Sequence, residues 1–275
     1  MTVEGAGGPL AGLERRRAED CRLEPDRALR SLDEAEAFLH ERGMLTRTPD
    51  SALPSLFGAC HERPYRSGRG GFAQWPATKY PWFWELAARD DVYELSVHDG
   101  SRLPLTAATA ALADPLCRAE LQQRQAADDD PGRLLRHLGE AGPSDLADLK
   151  VELGWGPSRL RAARRPLERA GAVVSHSVTT GTASGGHLHS SLLARWDQAY
   201  PKPASGGGLG ELVAAGVFAA VLAPEPELER WFTWRGRWDE RLVDDLVAGG
   251  KLSRPAPGWV AAGRRRAGRA RVRRA

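Results

Sequence analysis

Arginines at helical spacing are the residues whose types and positions best fit a chemical task in this chain. Within the stretch SRLRAARRPLER, residues 158–169, a helix places four polar side chains on the side away from Leu160 and Leu167. Those four are Ser158, Arg161, Arg165 and Arg169. Guanidinium groups on such a face bind phosphates and the base edges of a DNA groove. With Arg159 and Arg164 they are the predicted DNA-binding residues of a recognition helix; a solvated basic face is the alternative interpretation.

Pro166 lies inside that predicted helix. An interior proline removes a helix hydrogen bond and costs about 3 kcal/mol, so we expect a bend near Arg165. The first two turns then remain free to carry the contact.

A second basic element ends the sequence. GRRRAGRARVRRA contains seven arginines, among them Arg264, Arg265 and Arg266, and no acidic residue. The formal net charge of the chain is +3, so the remainder carries about −4. We predict that this tail binds DNA without sequence preference.

Two groups of residues suggest further chemistry, each with a plainer alternative. Six aromatic residues with a nearby amide could line a base-binding pocket, although packing in a core is the more common role. They are Phe72, Trp75, Tyr80, Trp82, Phe83 and Trp84, with Gln74 and Lys79 beside them. His176, His187 and His189 could hold a metal, but exposed histidines of a β-hairpin are the preferred interpretation, and no metal site is predicted.

Composition excludes several classes of protein. The three cysteines are far apart and form no C-x-x-C pair, which argues against a disulfide framework or a cysteine zinc site and favours a reducing cytoplasm. The longest apolar run has twelve residues, too few to span a bilayer, and no secretory leader is predicted. Motifs typical of nucleotide-binding loops and of the serine hydrolase elbow do not occur.

The pattern of helices, strands and turns predicts a mainly α fold with small β-hairpins, built as three tandem winged-helix units. We expect a flexible leader at 1–25, units at 26–121, 133–199 and 209–262, and the basic tail at 263–275. The middle unit is the clearest, because three helical segments precede two strands around a glycine-rich turn. In the third unit the last helix is acidic, so that unit is predicted to serve packing or protein interaction.

Several phrases give the chain a resemblance to a known family. GMLTRTPDSALPSLFGACHE, GFAQWPATKYPWFWELAARDDVYEL and ARWDQAYP resemble segments of the winged-helix proteins related to the DNA glycosylases AlkZ and YcaQ. The resemblance spans roughly residues 30–260. It implies tandem winged helices around a DNA-binding channel, damaged double-stranded DNA as partner, excision of alkylated bases, and neither metal nor redox cofactor.

The chain departs from that family at the catalytic motif. Thr46 and Thr48 stand where the glycosylases carry Gln-x-Gln, and Ala77 stands where a histidine follows a tryptophan. Threonine hydroxyls orient water but lack the paired donor and acceptor of an amide. The catalytic candidates are Thr46 and Thr48 at these positions, together with Glu62 as an acid or base and Gln74 as a nearby amide. The predicted function is DNA binding, and base excision is the activity that the resemblance implies. The alternative is a non-catalytic winged-helix regulator or an interaction scaffold in the cytoplasm.

Overall fold

The computed structural model describes residues 8–66, 72–181 and 187–263, with backbone alone at 177–181 and 187–190. The described chain is mixed α/β, about 51% helical, with small antiparallel sheets. The expectation of helices with small hairpins is confirmed at this level. Within the described residues, no helix combines the length and the apolar character needed to cross a membrane.

The first unit contains three helices followed by a hairpin. Its elements are α2 (Leu32–Arg42), α3 (Leu56–Ala59), α4 (Trp82–Ala87), β1 (Val92–His98) and β2 (Ser101–Thr106). The Ser31 hydroxyl accepts a hydrogen bond from Glu34 N and begins α2. The hairpin turns at Asp99 and Gly100, as the sequence predicts, and both residues have positive φ. Met44 bridges to Leu105, so the chain after α2 lies along β2.

The middle unit follows its predicted order. It comprises α6 (Asp130–Ala141), β3 (Ser144–Asp145), α7 (Leu146–Leu153), α8 (Pro157–Arg169), β4 (Val173–Gly181), β5 (His187–Arg195) and α9 (Trp196–Ala199). The strand order is β3-β5-β4. Asp145 is the N-cap of α7, since its carboxylate accepts a hydrogen bond from Ala147 N.

Pro166 does not break α8, which runs unbroken to Arg169. The carbonyl that Pro166 leaves without a helix donor belongs to Ala162, an exposed residue whose carbonyl water can reach. The predicted recognition helix is therefore a single segment of thirteen residues.

The third unit repeats the same order in a smaller form. It comprises α10 (Leu209–Ala220), β6 (Leu222–Pro224), 3₁₀ turns at Glu225–Arg230 and Arg235–Arg237, α11 (Leu242–Ala248), β7 (Leu252–Ala256) and β8 (Trp259–Ala262). Its strand order is β6-β8-β7. The helical spacing of PELERWFTW would predict a helix, but the segment forms a 3₁₀ turn followed by irregular chain. Buried Trp231 and Phe232 immediately after the turn explain this, because core packing overrides helical spacing there.

Two helices contradict the predicted boundaries. Residues 1–25 were expected to be a flexible leader, yet α1 (Pro9–Asp20) is a helix, and the Cys21 thiol that follows it donates to Ala219 O at 3.5 Å. The joint expected at 122–132 is mostly helical, because α5 (Ala107–Gln125) extends into it and α6 begins at Asp130. The second joint, at 200–208, is irregular as expected.

Asp114 of α5 connects the middle unit to the rest of the molecule. Its carboxylate, 1% exposed, accepts hydrogen bonds from Arg118 Nε at 2.8 Å, from Trp196 Nε1 at 2.6 Å and from Ala204 N at 2.9 Å. Arg118 also donates to Tyr200 O. The largest core cluster surrounds this network and draws residues from all three units. A buried carboxylate with complete partners thus fixes α5, the end of β5 and the second joint together.

Replacing Asp114 by alanine should lower the free energy of unfolding by about 3 kcal/mol or more, because Arg118 and the Trp196 indole lose their buried acceptor. Urea denaturation measures the change. Asp128→Ala removes an exposed carboxylate fourteen residues further along the chain and should stay within about 0.5 kcal/mol of wild type. Equal, small effects of both substitutions would contradict the proposed role of Asp114.

Candidate nucleic-acid interface

The outer face of α8 has the residues that the helical spacing predicts. Leu160, Ala163 and Leu167 are buried in the middle unit's core. The exposed stripe on the opposite face consists of Ser158, Arg161, Ala162, Arg165 and Arg169. We call these five residues the α8 stripe.

Three of the predicted DNA-binding arginines have acidic partners within the chain. Arg159 makes two hydrogen bonds to Asp130, at 2.8 and 2.6 Å, and its guanidinium lies 4.9 Å from the centroid of the Trp155 ring. These hydrogen bonds lower the pKa of Asp130. Arg164 pairs with Glu168 at 3.4 Å, and Arg169 pairs with Asp99 at 3.4 Å.

Arg161 and Arg165 differ from those three. Over the described ranges, neither has a carboxylate oxygen within 4.0 Å of its guanidinium, and both are exposed. Binding an anion at these two positions requires no internal ion pair to break. They are the strongest candidates on α8.

A groove of about 700 Å³ continues the stripe at its C-terminal end. All three units and α5 contribute to its walls, and Arg169 belongs to both the stripe and the groove. Among the described residues its charged lining consists of Arg124, Arg169, Arg230, Arg235 and Arg237, with Asp99 and Glu120. Five guanidinium groups against two carboxylates make it a cationic surface. We call it the junction groove.

The groove exists because the third unit binds the end of α8. The Thr233 hydroxyl donates to Arg169 O, the Trp234 indole donates to Ala170 O at 3.1 Å, and Thr233 N donates to Val97 O at 2.8 Å. Gly171, the next residue after these carbonyls, has a φ of 74°. A Cβ there would lie 2.7 Å from Cys117 Sγ and 3.2 Å from Trp234 Cζ2, so only glycine allows this approach.

The groove arginines fall into two groups. Glu120 accepts hydrogen bonds from Arg124 and Arg237, and Asp99 accepts one from Arg169. Arg230 and Arg235 are exposed, and within the described part of the chain no carboxylate oxygen lies within 4.0 Å of either. The sequence RWFTWRGR shows these cations, but not the contact of Thr233 and Trp234 with α8 that brings them beside Arg169.

A second polar cluster lies where the first unit packs on α8 and β4. Glu94 is 4% exposed, and Arg102 Nη1 donates to its carboxylate at 3.2 Å. Burial raises the pKa of Glu94 to about 7; Arg102 and Arg47 oppose this, and Glu168 adds to it. Burial likewise raises the pKa of Glu168 and lowers that of His176.

Three of the four catalytic candidates make hydrogen bonds that stabilise local structure: Thr46, Thr48 and Glu62. Thr46 is 2% exposed and its hydroxyl donates to Thr48 O at 2.9 Å, which stabilises the turn before α3. The Thr48 hydroxyl donates to Asp50 at 3.2 Å. Gln74 is exposed. Burial would raise the pKa of Glu62, but hydrogen bonds from Thr78 and Lys79 outweigh it and lower that pKa, so Glu62 is suited to fixing its loop and not to donating a proton.

The aromatic residues near Gln74 mainly pack in the core of the first unit. Phe83 is fully buried, and most of the others are partly buried around it: Trp75, Tyr80, Trp82 and Trp84. Phe72 is exposed. Arg47 lies 5.1 Å from the Trp75 ring centroid, a cation–π contact that covers one face of that ring. The core interpretation therefore fits better than a base-stacking pocket.

The remaining candidates are placed only in part. His176 pairs with Leu192 across the hairpin, whereas His187 and His189 pair with Gly181 and Thr179, so His176 is a cross-strand neighbour of neither. Arg264, Arg265 and Arg266 lie outside the described residues.

No family model, curated protein or solved structure matches the chain.

The raised pKa of Glu94 predicts a pH dependence of stability. The folded state holds the Glu94 proton up to about pH 7, so this stabilisation is complete below the unfolded pKa near 4.5 and disappears as the pH rises through 7. Relative to wild type, Glu94→Gln should gain roughly 3 kcal/mol of unfolding free energy between pH 4.5 and 7.5, measured by urea titrations. Glu85→Gln, at an exposed glutamate, should parallel wild type. A Glu94→Gln profile parallel to wild type would show that Glu94 ionises normally.

Proposed function

We propose that this protein binds double-stranded DNA through α8 of the middle unit. The observation that carries the proposal is the α8 stripe, in which Arg161 and Arg165 are exposed with no carboxylate oxygen of a described residue within 4.0 Å, while the opposite face is buried in a core. A rigid helix that presents unpaired guanidinium groups fits a DNA groove, where it meets both phosphates and base edges.

We further propose that the three units are winged helices. In each unit a helix and a strand are followed by two or, in the third unit, three helical segments and then by two strands; the isolated bridge of Met44 acts as the first strand in the first unit. In all three sheets the last strand in the chain lies in the centre. This repeated topology supports the winged-helix interpretation, in which α8 is the helix that enters the groove.

Base excision has weaker support than binding. The relation to AlkZ-type glycosylases stays a prediction. Thr46, at the position of the glycosylases' catalytic motif, already donates its hydroxyl hydrogen to the backbone carbonyl of Thr48. Glu62 is held as a carboxylate by its own loop. The proposal is therefore a DNA-binding protein for which damaged duplex is the partner that the resemblance implies.

Arg161→Ala with Arg165→Ala should weaken duplex binding by the full-length protein about tenfold or more at 100 mM salt, and lower the slope of log affinity against log salt by about 1.8, since each phosphate contact contributes about 0.9. Fluorescence anisotropy over a salt series measures both. Circular dichroism should show an unchanged fold, because both side chains are exposed.

The matched control is Arg27→Ala with Arg30→Ala, which removes two exposed arginines of the first unit outside α8 and the junction groove. It corrects for the loss of two positive charges. If the α8 variant binds duplex as this control does, α8 is not the DNA-binding element. Absence of duplex binding by wild type at low salt would favour the scaffold alternative.

A further inference from the structure

The junction groove contains arginines that the proposed contact of α8 with DNA does not use. Three of its five arginines come from the third unit. The acidic last helix of that unit predicts packing or protein interaction and no contact with phosphate. Arg230 ends the 3₁₀ turn at Glu225–Arg230, and Arg235 begins the turn at Arg235–Arg237. Both line the groove together with Arg169. Among the described lining residues, none belongs to the acidic helix α11.

We propose that the junction groove is a second phosphate-binding site, at which Arg230 and Arg235 hold the backbone of the DNA that α8 contacts; this rests on the proposed function. The α8 stripe leads directly into it. Ser158 and Arg169 are separated by eleven helical steps, about 16 Å at 1.5 Å per residue. Because Arg169 lines the groove, a duplex lying along the stripe meets the third unit where the stripe ends.

The two arginines are anchored for this task. Trp231, directly after Arg230, is 1% exposed, and Trp234, directly before Arg235, is 4% exposed with its indole bound to Ala170 O. The backbone beneath each guanidinium is thus fixed while the charged end stays in solvent. Arginine recognises phosphate with a planar fork of N–H donors, and a fixed backbone reduces the entropy lost on binding.

The net positive charge of the groove favours an anionic ligand, and we assign phosphate because a guanidinium group offers its oxygens a planar fork of donors. Glu120 accepts hydrogen bonds from both Arg124 and Arg237 and offsets one of their two charges, and Asp99 pairs with Arg169. Arg230 and Arg235 remain, with no carboxylate oxygen of a described residue within 4.0 Å, and they are the groove cations that we assign to the DNA phosphates. Phosphates of a free nucleotide share this chemistry, so the experiment has to distinguish the two sources.

The test is Arg230→Ala with Arg235→Ala in the full-length protein, beside the Arg27→Ala, Arg30→Ala control and the α8 variant. With a 20-base-pair duplex, the salt slope should fall by about 1.8 and the affinity at 100 mM salt by about tenfold relative to the control. Thermal melting should show that all variants fold.

The outcomes separate the two proposals. If only the α8 variant loses affinity, the DNA-binding function stands and the groove proposal is overturned. If neither variant differs from the control, both proposals are overturned. If duplex binding is unchanged while inorganic pyrophosphate raises the melting temperature of wild type and not of the groove variant, the site takes free phosphates and the DNA source is overturned.

Discussion

The binding of Thr233 and Trp234 to the last carbonyls of α8 is the contact on which the arrangement of the three units depends. It joins the middle unit to the third, while Thr233 N holds β1 of the first unit through Val97 O. Gly171 marks how closely these elements approach, since a single methyl group would overlap Cys117. Without this junction, Arg169 and Arg235 would belong to separate surfaces.

Buried charge supports the same arrangement from two further sides. Asp114 fixes α5 to the end of β5 with a complete set of donors, and Glu94 lies with Arg102 where the first unit meets α8 and β4. Both side chains are almost fully buried, so loss of their partners would leave a buried polar group without a hydrogen bond. Polar contacts, in addition to apolar packing, therefore fix how the units meet.

The local fold could largely be predicted from the sequence, whereas the assembly could not. Short-range preferences of neighbouring residues determine such features as the leucine spacing of α6 and α8 and the Asp99-Gly100 turn, and these preferences can be read from the sequence. α5 was missed because Pro115 and a run of alanines obscure its periodicity, and α1 because a charged, glycine-rich segment resembles a loose leader. The role of Arg230 and Arg235 depends on Thr233 reaching Arg169 O, a contact across 64 residues that no local pattern encodes.

The central claim is that one duplex contacts α8 and the third unit together. Photo-crosslinking of the full-length protein to a 20-base-pair duplex carrying 5-iododeoxyuridine, followed by peptide mass spectrometry, tests it directly. The account predicts crosslinks to peptides from 158–169 and from 230–237 on the same duplex, with both lost in high salt. Crosslinks confined to the basic tail at 264–275, or to surfaces remote from both segments, would contradict it.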